Sequence, residues 1–266
     1  GKADGIVEEN LSTNFLQEIK LPEASVMLTF QAMMENIHAE VYNTNIVELF
    51  PLESDRSRIF KMVESSPIIE RKIQFAHKYM NKLNNDGKAI PLSHRIVAFC
   101  AVEGINFSGS FAFIDWLKEK KYDLEGMYLH NNYISRDENM HTLGGVLMER
   151  FIVEKASDAE VKQILDEAMD IEIEFFKTIL PANGFEGDSI MNINNMTKHI
   201  KYCGAYLANL LGRNIYNKNL VTPFKFMINR NTYIKSNFFE KEEFNYTMGN
   251  DTTISDSSFG VNENDF

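Results

Sequence analysis

The sequence predicts an all-α protein, a bundle of long helices, and three observations carry that expectation. Apolar residues recur at three- and four-residue steps through the stretches 23–50, 65–84, 92–121, 123–153, 157–180 and 189–214. No run of alternating β-branched residues bounded by turn signals interrupts them. All six prolines, Pro22, Pro51, Pro67, Pro91, Pro181 and Pro223, fall at the boundaries of these stretches, where a residue lacking a backbone N–H delimits a helix instead of breaking one.

In chain order, Pro22 and Pro51 bracket the first long stretch, Pro67 opens the second and Pro91 introduces the third. No proline occurs from 92 to 180, so the third, fourth and fifth stretches run free of that constraint. Several of these helices would reach about 25 to 30 residues against a globular mean of about 11 to 12, the proportion of a long-helix bundle. No internal repeat of fixed period is present.

Composition narrows the function classes. The chain has 266 residues, 44% of them hydrophobic, enough to bury a substantial core in one or two domains. With 38 acidic against 27 basic residues the net charge is -11, which leaves no broad basic footprint for nucleic acid. Cys100 and Cys203 are the only cysteines, with no CxxC spacing; this argues against a disulfide scaffold, a zinc ribbon or a thioredoxin-like site and suits a reducing cytosol. The longest unbroken apolar run, Ile96 to Val102, is far below the roughly 18 to 20 residues of a membrane span. With no charged-then-apolar pattern at the N-terminus, a cytoplasmic protein without a membrane partner is expected.

Residues 237–266 change character: Lys241 is the only basic residue against seven acidic ones, and Asn, Asp, Ser and Thr abound. Such a segment buries too little apolar surface to order itself, so the expected organisation is a helical domain over 1–236 followed by a flexible acidic tail. Phe259 and Phe266 stand out in it as either incidental aromatics or points of attachment for a partner.

The chemistry concentrates in carboxylates. The segment Ile96–Ile114 reads IVAFCAVEGINFSGSFAFI, with Glu103 as its only charged residue. An ionised carboxylate in such surroundings costs several kcal/mol unless it is paired or bound to a metal. An Arg or water partner, or a raised pKa that keeps it neutral, would serve equally. Two other stretches carry Glu-x-x-His, Glu35 with His38 and Glu138 with His141. On a helix i and i+3 share a face, so each pair can present a carboxylate oxygen and an imidazole nitrogen to one point. Two such pairs plus an isolated Glu match the donor set of ferritin-like di-metal carboxylate proteins. The pattern lacks one acidic residue on a helix before Glu35, for which Asp4, Glu8 and Glu9 compete. Mixed carboxylate and imidazole ligands without thiolate suit iron or manganese.

These residues sit in a chain that resembles the small, radical-generating subunit of class I ribonucleotide reductase of the eukaryotic and large-virus type. The resemblance runs along essentially the whole chain, through DGIVEENL at 4–11, ENIHAEVY at 35–42, AVEGINFSGSFAFIDWLK at 101–118, SRDENMH at 135–141, FFEK at 238–241 and the terminal SFGVNENDF. It implies a ferritin-like bundle with two iron ions held by Asp4, Glu35, His38, Glu103, Glu138 and His141. It further implies that Tyr42 is oxidised to a stable radical inside an apolar pocket formed by Phe107, Phe111 and Ile134, and that Asp137 hydrogen-bonds His38. Read without the resemblance, Tyr42 is a core aromatic with a hydrogen-bonded hydroxyl and Asp137 a solvated helix charge. Tyr246 corresponds to the tail tyrosine that relays the radical, and Phe259 to Phe266 to the segment that docks on the large catalytic subunit; a homodimer is also implied.

The family has helices before the first ligand that carry a relay tryptophan, whereas Asp4 lies three residues from the start and the only tryptophan is Trp116, a structural position. The sequence is therefore expected to lack those helices and to be unable to complete radical transfer as written. Two rival functions are a radical-incompetent paralogue that stabilises or regulates an active small subunit, and a ferroxidase or di-iron oxygenase on the same bundle. Intact ligand positions and Tyr42 oppose the first; Tyr42 combined with the aromatic-ended acidic tail opposes the second.

Overall fold

A computed structural model of the chain describes residues 14–186 and 188–228. Among the described residues every regular element is a helix: α1 (Leu16–Glu18), α2 (Pro22–Leu49), α3 (Glu53–Glu64), α4 (Pro67–Met80), α5 (Leu92–Gly104), α6 (Ser108–Glu119), α7 (Glu125–Phe151), α8 (Asp158–Ile179), α9 (Ile193–Leu210) and α10 (Lys225–Ile228). Pro22 and Pro67 each stand in the first turn of their helix, where no N–H is needed. Ser157 starts α8 with a reciprocal capping box to Glu160, and the Asn192 side chain caps α9 through the Asn195 amide.

α5 occupies the centre and packs against α4, α7, α8 and α9. Every residue from Ile96 to Ala101 is fully buried, so this helix is apolar all round because it has no solvent face. The stretch Leu92–Glu119 is, among the described residues, the one apolar and long enough to cross a membrane, yet 78% of its most apolar window is buried inside the fold. Its composition is that of a core helix.

α2 and α7 flank this centre. On α2 the buried positions Ala24, Leu28, Gln31, Glu35 and His38 step by four and three along one face. Val26, Phe30, Met33 and Ile37 form an exposed apolar stripe on the opposite face. α7 approaches its neighbours closely through Gly144 and Gly145. A Cβ on Gly145 would lie 2.5 Å from Cys100 Sγ of α5, and one on Gly144 would lie 2.6 Å from Met27 Sδ of α2.

Two features depart from the helical stretches expected from the sequence. Residues 53–64 form a helix with no buried residue, which the stretches read from the sequence leave out. Arg56 ties it back by donating to the carbonyls of Phe50 and Pro51 at 2.8 and 2.6 Å. The stretch 92–121, expected as one helix, is two. Asn106 N–H reaches back five residues to Ala101 O at 3.3 Å, and Ser108 N–H bonds Ile105 O at 3.1 Å. Ser108 Oγ donates to the same carbonyl at 2.7 Å, a local side-chain bond that competes with the helical ladder. Glu103 and Phe111 therefore lie on two separate helices, with Phe107 at the interruption between them.

Candidate metal centre

Three helices supply the site: α2 brings Glu35 and His38, α5 brings Glu103 in its last turn, and α7 brings Glu138 and His141. All five side chains are buried. One ligand atom each from Glu35, Glu103, Glu138 and His141 lies within 4.8 Å of the others. His141 Nδ1 is 2.9 Å from Glu35 Oε1, 3.1 Å from Glu138 Oε2 and 3.8 Å from Glu103 Oε2. His38 Nδ1 is 3.2 Å from Glu138 Oε1 and 3.7 Å from Glu35 Oε2. The two imidazole rings stand 6.0 Å apart.

The electrostatics of this cluster are those of charges gathered out of water. Burial alone would lower the His38 pKa, but the Asp137, Glu138 and Glu35 carboxylates outweigh it and raise the value to about 11. His141 is likewise opposed by burial and raised by Glu103, Glu138 and Glu35, to about 12. Burial, with the charges of Glu138 and Glu35 added, pushes Glu103 well up. Glu138, despite burial, is held far below the usual carboxylate range by Glu103, His141 and His38.

The donor set fits a metal. Both oxygens of Glu103 are buried without a hydrogen bond, and the other donor atoms of the cluster meet only one another. Groups of this kind are costly unless something satisfies them. Divalent cations bound by carboxylate oxygen and imidazole nitrogen would do so. Beyond the five ligand atoms, Asp137 Oδ2 accepts from His38 Nε2 at 3.0 Å. Gln31, one turn before Glu35 on the same buried face, has both amide atoms without a hydrogen bond. The sequence reading passed over Gln31, though a polar residue in the apolar register 24, 28, 31, 35, 38 is the signal that reveals it.

Tyr42 follows His38 by one turn on α2 and is half-buried. Phe111 and Ile134 are buried, and Phe107, half-buried at the helix interruption, packs 6.3 Å from the Phe111 ring. Asp4, Tyr246, Phe259 and Phe266, and the boundary expected at 236, lie outside the described residues.

Comparison with known proteins gives the same family from sequence and from structure. The model of the ribonucleotide reductase small chain matches residues 2–223. The chain is 35% identical over 260 residues to the ribonucleoside-diphosphate reductase small chain of Variola virus, covering 97% of this chain and 77% of that protein. It is 37% identical over 258 residues to the rat ribonucleoside-diphosphate reductase subunit M2, of which it spans 63%. Among solved structures, the Rnr4 homodimer of Saccharomyces cerevisiae aligns with a TM-score of 0.69 at 28% identity, over 88% of this chain and 73% of that one. The ribonucleotide reductase R2 subunit of Clostridium botulinum shares the fold at a TM-score of 0.72 and 20% identity, over 86% of this chain and 72% of that one. With a family model over most of its length and a buried carboxylate and histidine cluster in a helical bundle, this chain belongs to the ribonucleotide reductase small-chain family.

Proposed function

We propose that this chain is the radical-generating small subunit of a ribonucleoside-diphosphate reductase, and that Glu35, His38, Glu103, Glu138 and His141, with Asp4, hold two iron ions. The convergence of four ligand atoms within 4.8 Å carries the reading. When bound, the metal pair supplies the dioxygen-dependent one-electron oxidation that no protein side chain provides alone.

The chain's own residues do the rest. Tyr42, one turn from a ligand, is the residue that would store the radical. Phe107, Phe111 and Ile134 exclude water and reductants from it. Asp137 fixes His38 by accepting its Nε2 hydrogen. Tyr246 occupies the tail position of a relay residue toward the large subunit, which would bind the nucleotide and which the tail engages through Phe259 and Phe266. A second copy of the chain covers the apolar stripe of Val26, Phe30, Met33 and Ile37. The Rnr4 relative, whose solved form is a homodimer, supports that association, as does the size of the exposed side chains.

Iron loading under oxygen, followed by electron paramagnetic resonance, tests the proposal. A sharp organic radical should form and be abolished in Tyr42→Phe while two metal ions per chain are retained. A radical that survives this substitution overturns the role of Tyr42. Metal uptake without any radical in the unsubstituted chain overturns the radical function and favours the paralogue.

A further inference from the structure

The interruption between α5 and α6 begins two residues beyond Glu103 and takes the Asn106 carbonyl out of the helical ladder. A buried carbonyl needs a donor. Lys72 of α4 provides one, its Nζ donating to Asn106 O at 3.2 Å. The Lys72 side chain is only 17% exposed, and Nζ lies 4.2 Å from the centroid of the Phe175 ring. Its counter-charge is Glu172 of α8, 0% exposed and in ion-pair contact with Nζ. α4, α8 and the α5–α6 junction thus meet at a single charge pair, outside the metal cluster.

Stability does not account for such a pair. Replacing a buried ion pair by apolar residues of similar volume is often neutral or stabilising. What an apolar replacement cannot do is bind the carbonyl that the interruption sets free. Glu103, the ligand from the central helix, precedes that carbonyl by less than one turn, and Phe107 follows it directly.

We propose that Lys72 and Glu172 are positioning residues for the metal centre: by clamping the Asn106 carbonyl they hold the α5–α6 interruption in the register that aims Glu103 at Glu35, Glu138 and His141 and seats Phe107 against Phe111. The consequence for metal rests on the metal reading of the cluster; the clamp itself does not.

The test uses the full chain as Lys72→Met, the charge-free double variant Lys72→Met/Glu172→Met, and the conservative Lys72→Arg, each compared with the unsubstituted protein. Three quantities are read: thermal unfolding, hydrogen exchange over 103–111 in the metal-free protein, and the visible spectrum and affinity of added Co2+. The double variant should stay folded while exchange over 103–111 rises about tenfold or more and elsewhere is unchanged. Its Co2+ spectrum should shift and its affinity should fall about 10- to 100-fold, and Lys72→Arg should restore both.

A folded double variant with unaltered exchange, spectrum and affinity overturns the proposal. Exchange raised evenly along the chain also overturns it, because the pair would then be merely structural. If the double variant fails to fold, Lys72→Met decides: a folded variant with exchange raised over 103–111 alone and a shifted Co2+ spectrum sustains the clamp, and unaltered exchange and spectrum overturn it. If the unsubstituted chain takes up no Co2+, the metal reading fails, while the exchange comparison still decides the clamp.

Discussion

Asp137 of α7 and His38 of α2 meet across two helices, Nε2 donating to Oδ2 at 3.0 Å. An ionised carboxylate can only accept, so the hydrogen stays on Nε2 and the other ring nitrogen, Nδ1, is left facing Glu138 and Glu35. Asp137→Ala should therefore loosen His38 and weaken metal binding about 10- to 100-fold. The fold should survive, since the Asp137 side chain is 28% exposed. Unchanged affinity in a competition titration would show that the ring is oriented by something else.

The metal-free cluster should release protons when it is loaded. His38 at about 11 and His141 at about 12 both carry a proton on the site-facing nitrogen at neutral pH. Because these values lie above the ordinary histidine value of about 6.5, the stabilisation from imidazolium pairing is complete below that pH and is lost as pH rises through 11 to 12. Metal competes with the same protons, and with any that the raised pKa of Glu103 retains, so its affinity should rise with pH through neutrality and protons should be released on binding. Calorimetry in two buffers of different ionisation enthalpy measures the number; zero would mean the imidazoles are already neutral.

Gly145→Ala should be destabilising by about 1 to 3 kcal/mol, as overpacking of a core contact generally is. Its Cβ would meet Cys100 Sγ at 2.5 Å and Phe99 Cδ1 at 3.0 Å, pressing α5 away from α7 and Glu103 away from Glu138. Gly126→Ala, in the first turn of the same helix, has nothing within 4 Å of the new Cβ and should be neutral to slightly stabilising. Denaturant unfolding of the two variants separates close approach from helix propensity.

Asp188 links the α8–α9 connection to α6, accepting from Trp116 Nε1 at 2.7 Å and pairing with Lys120 at 2.5 Å. Burial would raise its pKa, but Lys120 and Trp116 outweigh that and hold it at about 2. A lowered value means that this stabilisation is present above the ordinary aspartate value of about 3.9 and is lost as pH falls through about 2. Asp188→Asn should cost about 1 to 3 kcal/mol at pH 7. The difference between variant and parent should shrink as pH falls from 4 towards 2, and a difference undiminished at pH 2 would contradict the pairing.

Much of the fold is legible because long helices write a long signal. The register of α8 can be read over several turns, whereas α2 carries apolar residues on both faces, and prolines mark the starts of α2 and α4. α3 escapes notice because it is short, its first half is ESDRSR and its apolar residues are confined to the second half. The α5–α6 interruption is hidden by the burial of both helices, since apolar residues on every side leave no phase to break. Local hints exist in Gly104, Asn106 and Ser108, but the lysine that stabilises the break comes from α4, more than thirty residues away.

The sequence by itself determined that Glu103 would be stranded in an apolar helix and that two helices would each present a Glu and a His on one face, because i, i+3 geometry is local to a helix. Which groups become partners was decided only in three dimensions. His38 Nδ1 lies closer to Glu138 of α7, at 3.2 Å, than to Glu35 of its own motif, at 3.7 Å. His141 Nδ1 is likewise nearer to Glu35, at 2.9 Å, than to Glu138, at 3.1 Å. These cross-helix distances depend on how closely α2 and α5 approach α7, and that approach is set by Gly144 and Gly145 leaving no side chain between them.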